Sequence, residues 1–404
     1  MRLRVLCACA TAAAVAFTCS PAAFGGRLVS VGYRTPAALH GLQVVDRVPS
    51  LATAEVRVAG PRAEAALRAR PGVRFVQPLV ARTSAGGPGL AGAEGTSALE
   101  WQWAAMHADL VPPSALGAAA GITIAIIDTG ADLSAPMIAD KSPVTYSVVT
   151  GDATVRDTIG HGTFVASLAA GFGGDAQLMI VQANRRGSIF SDVDEASAIV
   201  WAVDHGARII NLSLGGTQTS ILECHAIDYA VAHNVLLVTA AGNAAQQGNP
   251  IVYPAALVGR RGLVVGAAGR DGRRASFSTT GSYVDVLAPG VNVLGALADG
   301  ALTGWLFAPV ATPGLTGAYA VGSGTSYAAP EVAGAAALVW AANPSLGAAD
   351  VAAVIEGSAS GHGTWTADRA FGNVDIAAAI AHAFDPPPAQ VMLPPGPVRA
   401  LRPR

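Results

Sequence analysis

From about residue 121 the chain alternates short, continuous apolar runs with stretches of helical spacing. The runs are Ile122 to Ile127, Leu178 to Gln182, Arg208 to Leu214, Val235 to Ala240 and Gly262 to Ala267. They are too short for helices and carry no polar alternation, as strands buried on both faces do. Between them, His161 to Gly171, Asp192 to Asp204 and Ser220 to His233 read as helices. Three further helical patterns follow over 327–342, 347–357 and 374–383. Strands alternating with helices predict an α/β fold: a mainly parallel sheet flanked by helices on both faces.

Residues 27–82 have a different rhythm. Leu28 to Val31, Ala54 to Val58 and Val73 to Val76 read as strands, and Pro61 to Ala69 as a helix with proline near its start. This predicts a small α+β unit before the main domain. Residues 83–98 are rich in Gly, Ala and Ser and read as a linker. The end, 385–404, carries seven prolines and reads as a disordered tail. The division expected is 1–22, 23–82, 83–98, 99–384 and 385–404.

Composition narrows the class. Apolar residues make up 51% and charged residues 13%, which excludes disorder for most of the chain. The net charge of −2 offers no basic stripe, so no nucleic-acid partner is expected. At the start, Arg2 and Arg4 precede an apolar stretch, Val5 to Thr18, and Ser20-Pro21-Ala22 supplies small residues for cleavage. Residues 1–22 thus read as a signal peptide, too short in its apolar part to span a membrane. Cleavage after Ala22 removes Cys7, Cys9 and Cys19. Cys224 remains alone, so the mature chain forms no internal disulfide. A lipid anchor on Cys19 is disfavoured by the preceding Ala16-Phe17-Thr18. The protein is expected outside the cytoplasm, secreted or in the cell envelope, as a monomer without a membrane span.

Four segments carry candidate chemistry. Ile126-Ile127-Asp128-Thr129-Gly130 places an acid at the end of a buried strand. Gly160-His161-Gly162-Thr163 places a histidine at a helix start. Gly324-Thr325-Ser326-Tyr327-Ala328-Ala329-Pro330 places a serine at another helix start. Ala240-Ala241-Gly242-Asn243 places an amide just past a strand. Singly each has a plain alternative: a turn aspartate, an ordinary histidine, an N-cap serine, a turn asparagine. Together they supply a nucleophile, its base, the acid that orients the base, and an oxyanion donor.

These motifs, in the order Asp128, His161, Ser326, resemble those of the subtilisin-like serine proteases, the subtilase family. The resemblance runs from about Trp103 to Phe384. It implies that Ser326 is the nucleophile, His161 the general base and acid, and Asp128 its orienting partner. It also implies an oxyanion hole of Asn243 and the Ser326 N–H. Residues 27–82 resemble a subtilase inhibitory propeptide, an intramolecular inhibitor removed by self-cleavage in the linker. The substrate cleft is then walled by Ser213-Leu214-Gly215 and Ala240-Ala241-Gly242. Neither wall carries a charge, so a medium or large uncharged residue is expected just before the cleaved bond.

Two positions depart from the family pattern: Phe164 and Glu331 stand where histidines are common. Pro330 is expected in the first helical turn, and Glu331 beside it, where a carboxylate is favourable. No cofactor is expected for the chemistry. Calcium is frequent in the family, but Asp132…Asp140 and Asp152…Asp157 lack ligand spacing and read as solvated loops. Leu297 to Gly322 reads as a tolerated insertion. Two other functions compete: a catalytically silent subtilase acting as a binding or assembly module, and a dinucleotide-binding oxidoreductase. Gly266-Ala267-Ala268-Gly269 lacks the spacing the latter needs.

Overall fold

The structure, a computed structural model, describes residues 26–84, 87–88, 100–301, 307–310, 317–361, 366–368 and 370–385. The expected signal peptide, most of the expected linker and nearly all of the proline-rich tail lie outside the described residues.

Seven parallel strands form the central sheet. Their spatial order is Val286–Pro289, Leu263–Ala268, Leu236–Ala240, Ile209–Leu212, Thr123–Asp128, Gln177–Gln182 and Val144–Ser147. Side chains alternate across a strand, so an unbroken apolar run feeds both faces. Along Thr123–Asp128, Ile124 and Ile126 join one core with the helices His161–Phe172 and Thr325–Ala342. Ala125 and Ile127 join the opposite core with the helices Asp192–Asp204 and Ile221–Ala232. The fold is therefore α/β with helices on both faces. Ser191 and Ser220 cap two of these helices, accepting from the Asp194 and Glu223 N–H groups.

The helix Thr325–Ala342 passes through the core against His161–Phe172. The approach is close at Gly334, where a Cβ would come within 2.7 Å of the Gly173 nitrogen. Pro330 lies inside this helix, not in its first turn. Its missing N–H frees the Ser326 carbonyl, which accepts from Ser213 Oγ at 2.8 Å instead. Glu331 is likewise not a solvated first-turn carboxylate. It is fully buried, and neither oxygen has a hydrogen-bond partner among the described residues. Burial pushes its carboxyl well above the usual range.

Two other expectations change. The run Arg208 to Leu214 is divided: Ile209–Leu212 belongs to the central sheet, and Leu214–Gly215 turns into a different sheet. Leu297 to Gly322 is not a simple insertion. Ala308–Val310 and Tyr319–Ser323 pair in an antiparallel sheet with Val293–Ala296, and Phe307 is fully buried.

Residues 27–78 form a four-stranded antiparallel sheet in the order Gln43–Val48, Thr53–Val58, Arg27–Tyr33, Val73–Pro78. Val29, Val31, Val56 and Val76 make a small core with Leu67 of the helix Pro61–Arg68. This unit rests on the helices Asp192–Asp204 and Ile221–Ala232. Val48 and Leu51 are buried in the core cluster of those helices, and the Gln77 side chain accepts the Ile221 N–H at 2.9 Å. Among the described residues, no helix is long and apolar enough to cross a membrane.

Candidate active site

Asp128 ends its strand at a point where the order of connections reverses, between Gln177–Gln182 and Ile209–Leu212. Such points leave a crevice at the carboxyl ends of parallel strands. The Asp128 carboxylate meets His161 there, with Oδ1 2.8 Å from Nδ1. The same oxygen accepts the Thr129 N–H at 2.7 Å. A carboxylate on Nδ1 fixes that nitrogen as the protonated one and leaves Nε2 as the base. Both side chains are buried.

The helix that carries His161 is anchored by Asp157, a residue the sequence reading left in a solvated loop. Asp157 is buried. Its Oδ1 accepts the Thr129 hydroxyl and the Ile159 and Gly160 N–H groups, and its Oδ2 accepts the Thr163 N–H and hydroxyl. Burial raises its carboxyl, against the effect of these hydrogen bonds. Thr129 Oγ1 in turn accepts the Gly162 N–H at 2.9 Å. Asp157 thus joins the loop after Asp128 to the start of the His161 helix. Asp157 stands three residues before Gly160, the N-cap, so no capping pattern in the sequence marks it.

Phe164 fills the place of the family's second histidine with packing. Its ring lies 4.5 Å from that of Tyr327 and 5.0 Å from that of Phe307. Gly295 admits it: a Cβ there would sit 2.9 Å from three of the ring's carbons.

Ser326 is the second residue of its helix, where backbone N–H groups lack intrahelical acceptors. Its Oγ donates to the Ser213 carbonyl at 3.1 Å. His161 Nε2 is buried without a hydrogen-bond partner among the described residues. The structure thus joins Asp128 to His161 directly, while the Ser326 hydroxyl is turned to Ser213. Tyr327, the next residue, lies with its ring 5.7 Å from the His161 ring, so the start of the serine helix packs beside the histidine.

Asn243 follows the strand Leu236–Ala240. Its Oδ1 accepts both the Thr325 N–H and the Thr325 hydroxyl at 2.9 Å. That fixes the amide, leaving Nδ2 as the end free to donate. Beside it is a cavity of about 310 Å³, lined by Leu214, Gly215, Ala240, Gly242, Asn243 and Val252 among others. Among the described residues, no charged side chain lines it. Two residues expected in its walls face elsewhere. Ala241 is buried in the core, because alternation past the strand turns its side chain away. Ser213 faces Ser326, with its hydroxyl donating to the Ser326 carbonyl and accepting from Asn211 Nδ2. A larger cavity, about 430 Å³, lies by Asp132, Arg156 and Asp299.

One occupant of the cleft is the chain itself. Ala81–Ser84, partly read as linker, is a strand. Ser84 pairs with Leu214 and Thr83 with Gly215 on one side, and Thr83 to Ala81 pair with Ile189 to Ser191 on the other. Gly87 and Pro88 then pair with Ser323 and Gly322, just before Gly324-Thr325-Ser326. Among the described residues, no three His, Cys, Asp or Glu side chains gather as a metal site needs.

The sequence profile of the subtilase family matches residues 119–374. The chain belongs to the subtilase family, a family of serine-type peptidases. Subtilisin BL of Lederbergia lenta is 35% identical over 237 residues, covering 56% of this chain and 78% of that protein. Thermitase of Thermoactinomyces vulgaris is 34% identical over 258 residues, covering 60% and 84%. A thermophilic serine proteinase of Bacillus sp. (strain AK1) is 36% identical over 230 residues. The match covers 54% of this chain and spans about half the length of that relative, 52%. Among solved structures, fervidolysin of Fervidobacterium pennivorans superposes with a TM-score of 0.74 at 24% identity, covering 91% of this chain and 62% of that one. The epidermin leader peptide processing serine protease of Staphylococcus aureus gives 0.69 at 19% identity, covering 89% and 99%. At these identities the two structures speak for the fold.

Proposed function

We propose that this subtilase is a secreted serine endopeptidase, and that its own residues 81–88 are its first substrate. The observation that carries this reading is the buried Asp128–His161 pair, beside the ring of Tyr327, the residue next to Ser326. In this reading the Ser326 hydroxyl turns from Ser213 to Nε2. Ser326 Oγ then attacks the peptide carbonyl while its proton passes to His161. The oxyanion forms against Asn243 Nδ2 and the Ser326 N–H. His161 returns the proton to the leaving amine, and water, activated by the same histidine, releases the acyl group.

The unit 27–78 acts as an inhibitory propeptide. The strand that follows it, Ala81–Ser84, fills the cleft as an added strand, the mode by which extended peptides dock on sheet edges. Ser84 is held beside Leu214 and Gly87 beside Ser323, so only Ala85 and Gly86 separate the two paired stretches. Ser326 follows Ser323 by three residues. We therefore assign the self-cleavage to the Ala85–Gly86 bond. Alanine there matches the uncharged cavity lining, and is smaller than the medium or large side chain the sequence led us to expect.

The test is labelling with an active-site serine phosphonate together with peptide turnover, in wild type and Ser326→Ala. Labelling and turnover confined to the wild type support the endopeptidase. A folded wild type that neither labels nor cleaves is the silent binding module instead.

A further inference from the structure

Arg82 is the largest polar side chain buried completely in the described structure, and it belongs to the strand that fills the cleft. Its guanidinium makes a bidentate pair with Glu223, with Nε to Oε1 at 2.8 Å and Nη2 to Oε2 at 2.7 Å. Glu195 Oε2 lies 3.8 Å from the same Nε. Asp192 closes the group from below: it accepts the Val80 N–H and the Ser220 hydroxyl. Glu195, Glu223 and Asp192 all come from the peptidase domain, on the helices Asp192–Asp204 and Ile221–Ala232. Gly216 forms the rim, where a Cβ would come within 3.3 Å of Arg82 Nη1.

We infer that Glu223, Glu195 and Asp192 form a specificity pocket that selects arginine at the fourth residue before the cleaved bond, in polypeptide substrates as well as in the chain itself. This rests on the endopeptidase reading and on the cut between Ala85 and Gly86, from which Arg82 counts fourth. The Glu223 carboxylate receives the planar guanidinium edge-on, a geometry a lysine ammonium cannot reproduce. Burial first, and the adjoining Glu223 carboxylate second, push Glu195 well above the ordinary range. Both Glu195 oxygens are buried without a hydrogen-bond partner among the described residues, so of the three acids it is Glu223 that hydrogen-bonds the guanidinium. An apolar side chain in the same place strips water from the Glu223 carboxylate and supplies nothing in return. The pocket thus discriminates in two ways, by a bidentate fit to arginine and by the cost of leaving a carboxylate unpaired. The sequence hid it, because Asp192, Glu195 and Glu223 sit in the first turns of two helices, where acids are ordinary.

The test uses the full-length wild-type chain after it has matured, with fluorogenic peptides carrying its residues 80–88. The series places Arg, Lys, Leu or Glu at the position of Arg82. The expected kcat/KM for Arg exceeds that for Leu by about 10- to 100-fold, the range that charge-assisted hydrogen bonds support. Lys falls between, and Glu is lowest. In Glu223→Gln the Arg-to-Leu ratio drops towards one, through slower cleavage of the Arg peptide and faster cleavage of the Leu peptide. Should that variant fail to fold, the wild-type series decides alone. Equal cleavage of Arg and Leu peptides by wild type overturns the pocket and leaves the peptidase standing. Cleavage of none of the peptides overturns the peptidase reading and the pocket with it.

Discussion

Ser213 and Ser326 exchange two hydrogen bonds: Ser213 Oγ donates to the Ser326 carbonyl, and Ser326 Oγ donates to the Ser213 carbonyl. The first bond exists because Pro330, four residues along the helix, has no N–H to offer that carbonyl. Ser213→Ala leaves a buried carbonyl unpaired and is expected to lower stability by about 1–3 kcal/mol. Adding Pro330→Ala restores a donor, so the double variant regains part of the loss. Denaturant unfolding of the three variants, in a Ser326→Ala background to prevent self-digestion, measures the coupling. Strictly additive losses would show that the carbonyl has another partner.

Asn243 is held by Thr325 with its amide nitrogen directed outward. Asn243→Ala is expected to lower kcat by about 10²–10³ with little change in KM, because this donor is used in the transition state. Steady-state kinetics on one peptide separates the two constants. A change confined to KM assigns Asn243 to substrate binding.

Asp157 accepts five hydrogen bonds from the loop after Asp128 and from the start of the His161 helix. Asp157→Ala orphans several buried donors and is expected to cost at least about 2 kcal/mol. Because the His161 helix is then loosely seated, kcat should fall while KM for small peptides holds. Asp157→Asn keeps one accepting oxygen and should recover part of both. Full activity in a destabilised Asp157→Ala variant would make its role purely structural.

Five of the seven strands of the central sheet were legible as short, mainly apolar runs. Val144–Ser147, with alternating polar residues, and the four-residue Val286–Pro289 were not read. The residues of the catalytic motifs lie in short frames of small residues. What the sequence did not reveal depends on contacts between distant segments. Arg82 reads as one arginine at the extended end of the 27–82 unit until the fold sets it against Glu223, 141 residues away. Ala241 looks equivalent to Ala240 until strand alternation turns it into the core. Glu331 and Pro330 were placed by proximity to the serine motif, but a helix that begins at Thr325 carries both past its first turn and into the interior. Phe307 reads as part of a tolerated insertion, yet Phe164 and Tyr327 give it a buried place.

Glu356 links stability to pH. Burial raises its carboxyl from the ordinary 4.5 to about 7, with Arg260 opposing. The folded state therefore binds its proton more tightly than the unfolded state. The resulting stability is full below about pH 4.5 and is lost as pH rises through 7. Glu356→Gln, in the Ser326→Ala background, should gain up to about 3 kcal/mol over its parent at pH 8 and nothing near pH 4.5. Unfolding curves at several pH values measure this gap. A gap that does not vary with pH contradicts the buried titration.

The central claim is that Ser326, with His161 and Asp128, cuts the chain's own segment where it crosses the cleft. N-terminal sequencing of the purified wild type beside Ser326→Ala tests this most directly. The account predicts a wild type that begins at Gly86, and a Ser326→Ala protein that retains the 27–78 unit covalently attached. An active wild type that keeps that unit, or a Ser326→Ala protein trimmed at the same bond without added protease, contradicts it.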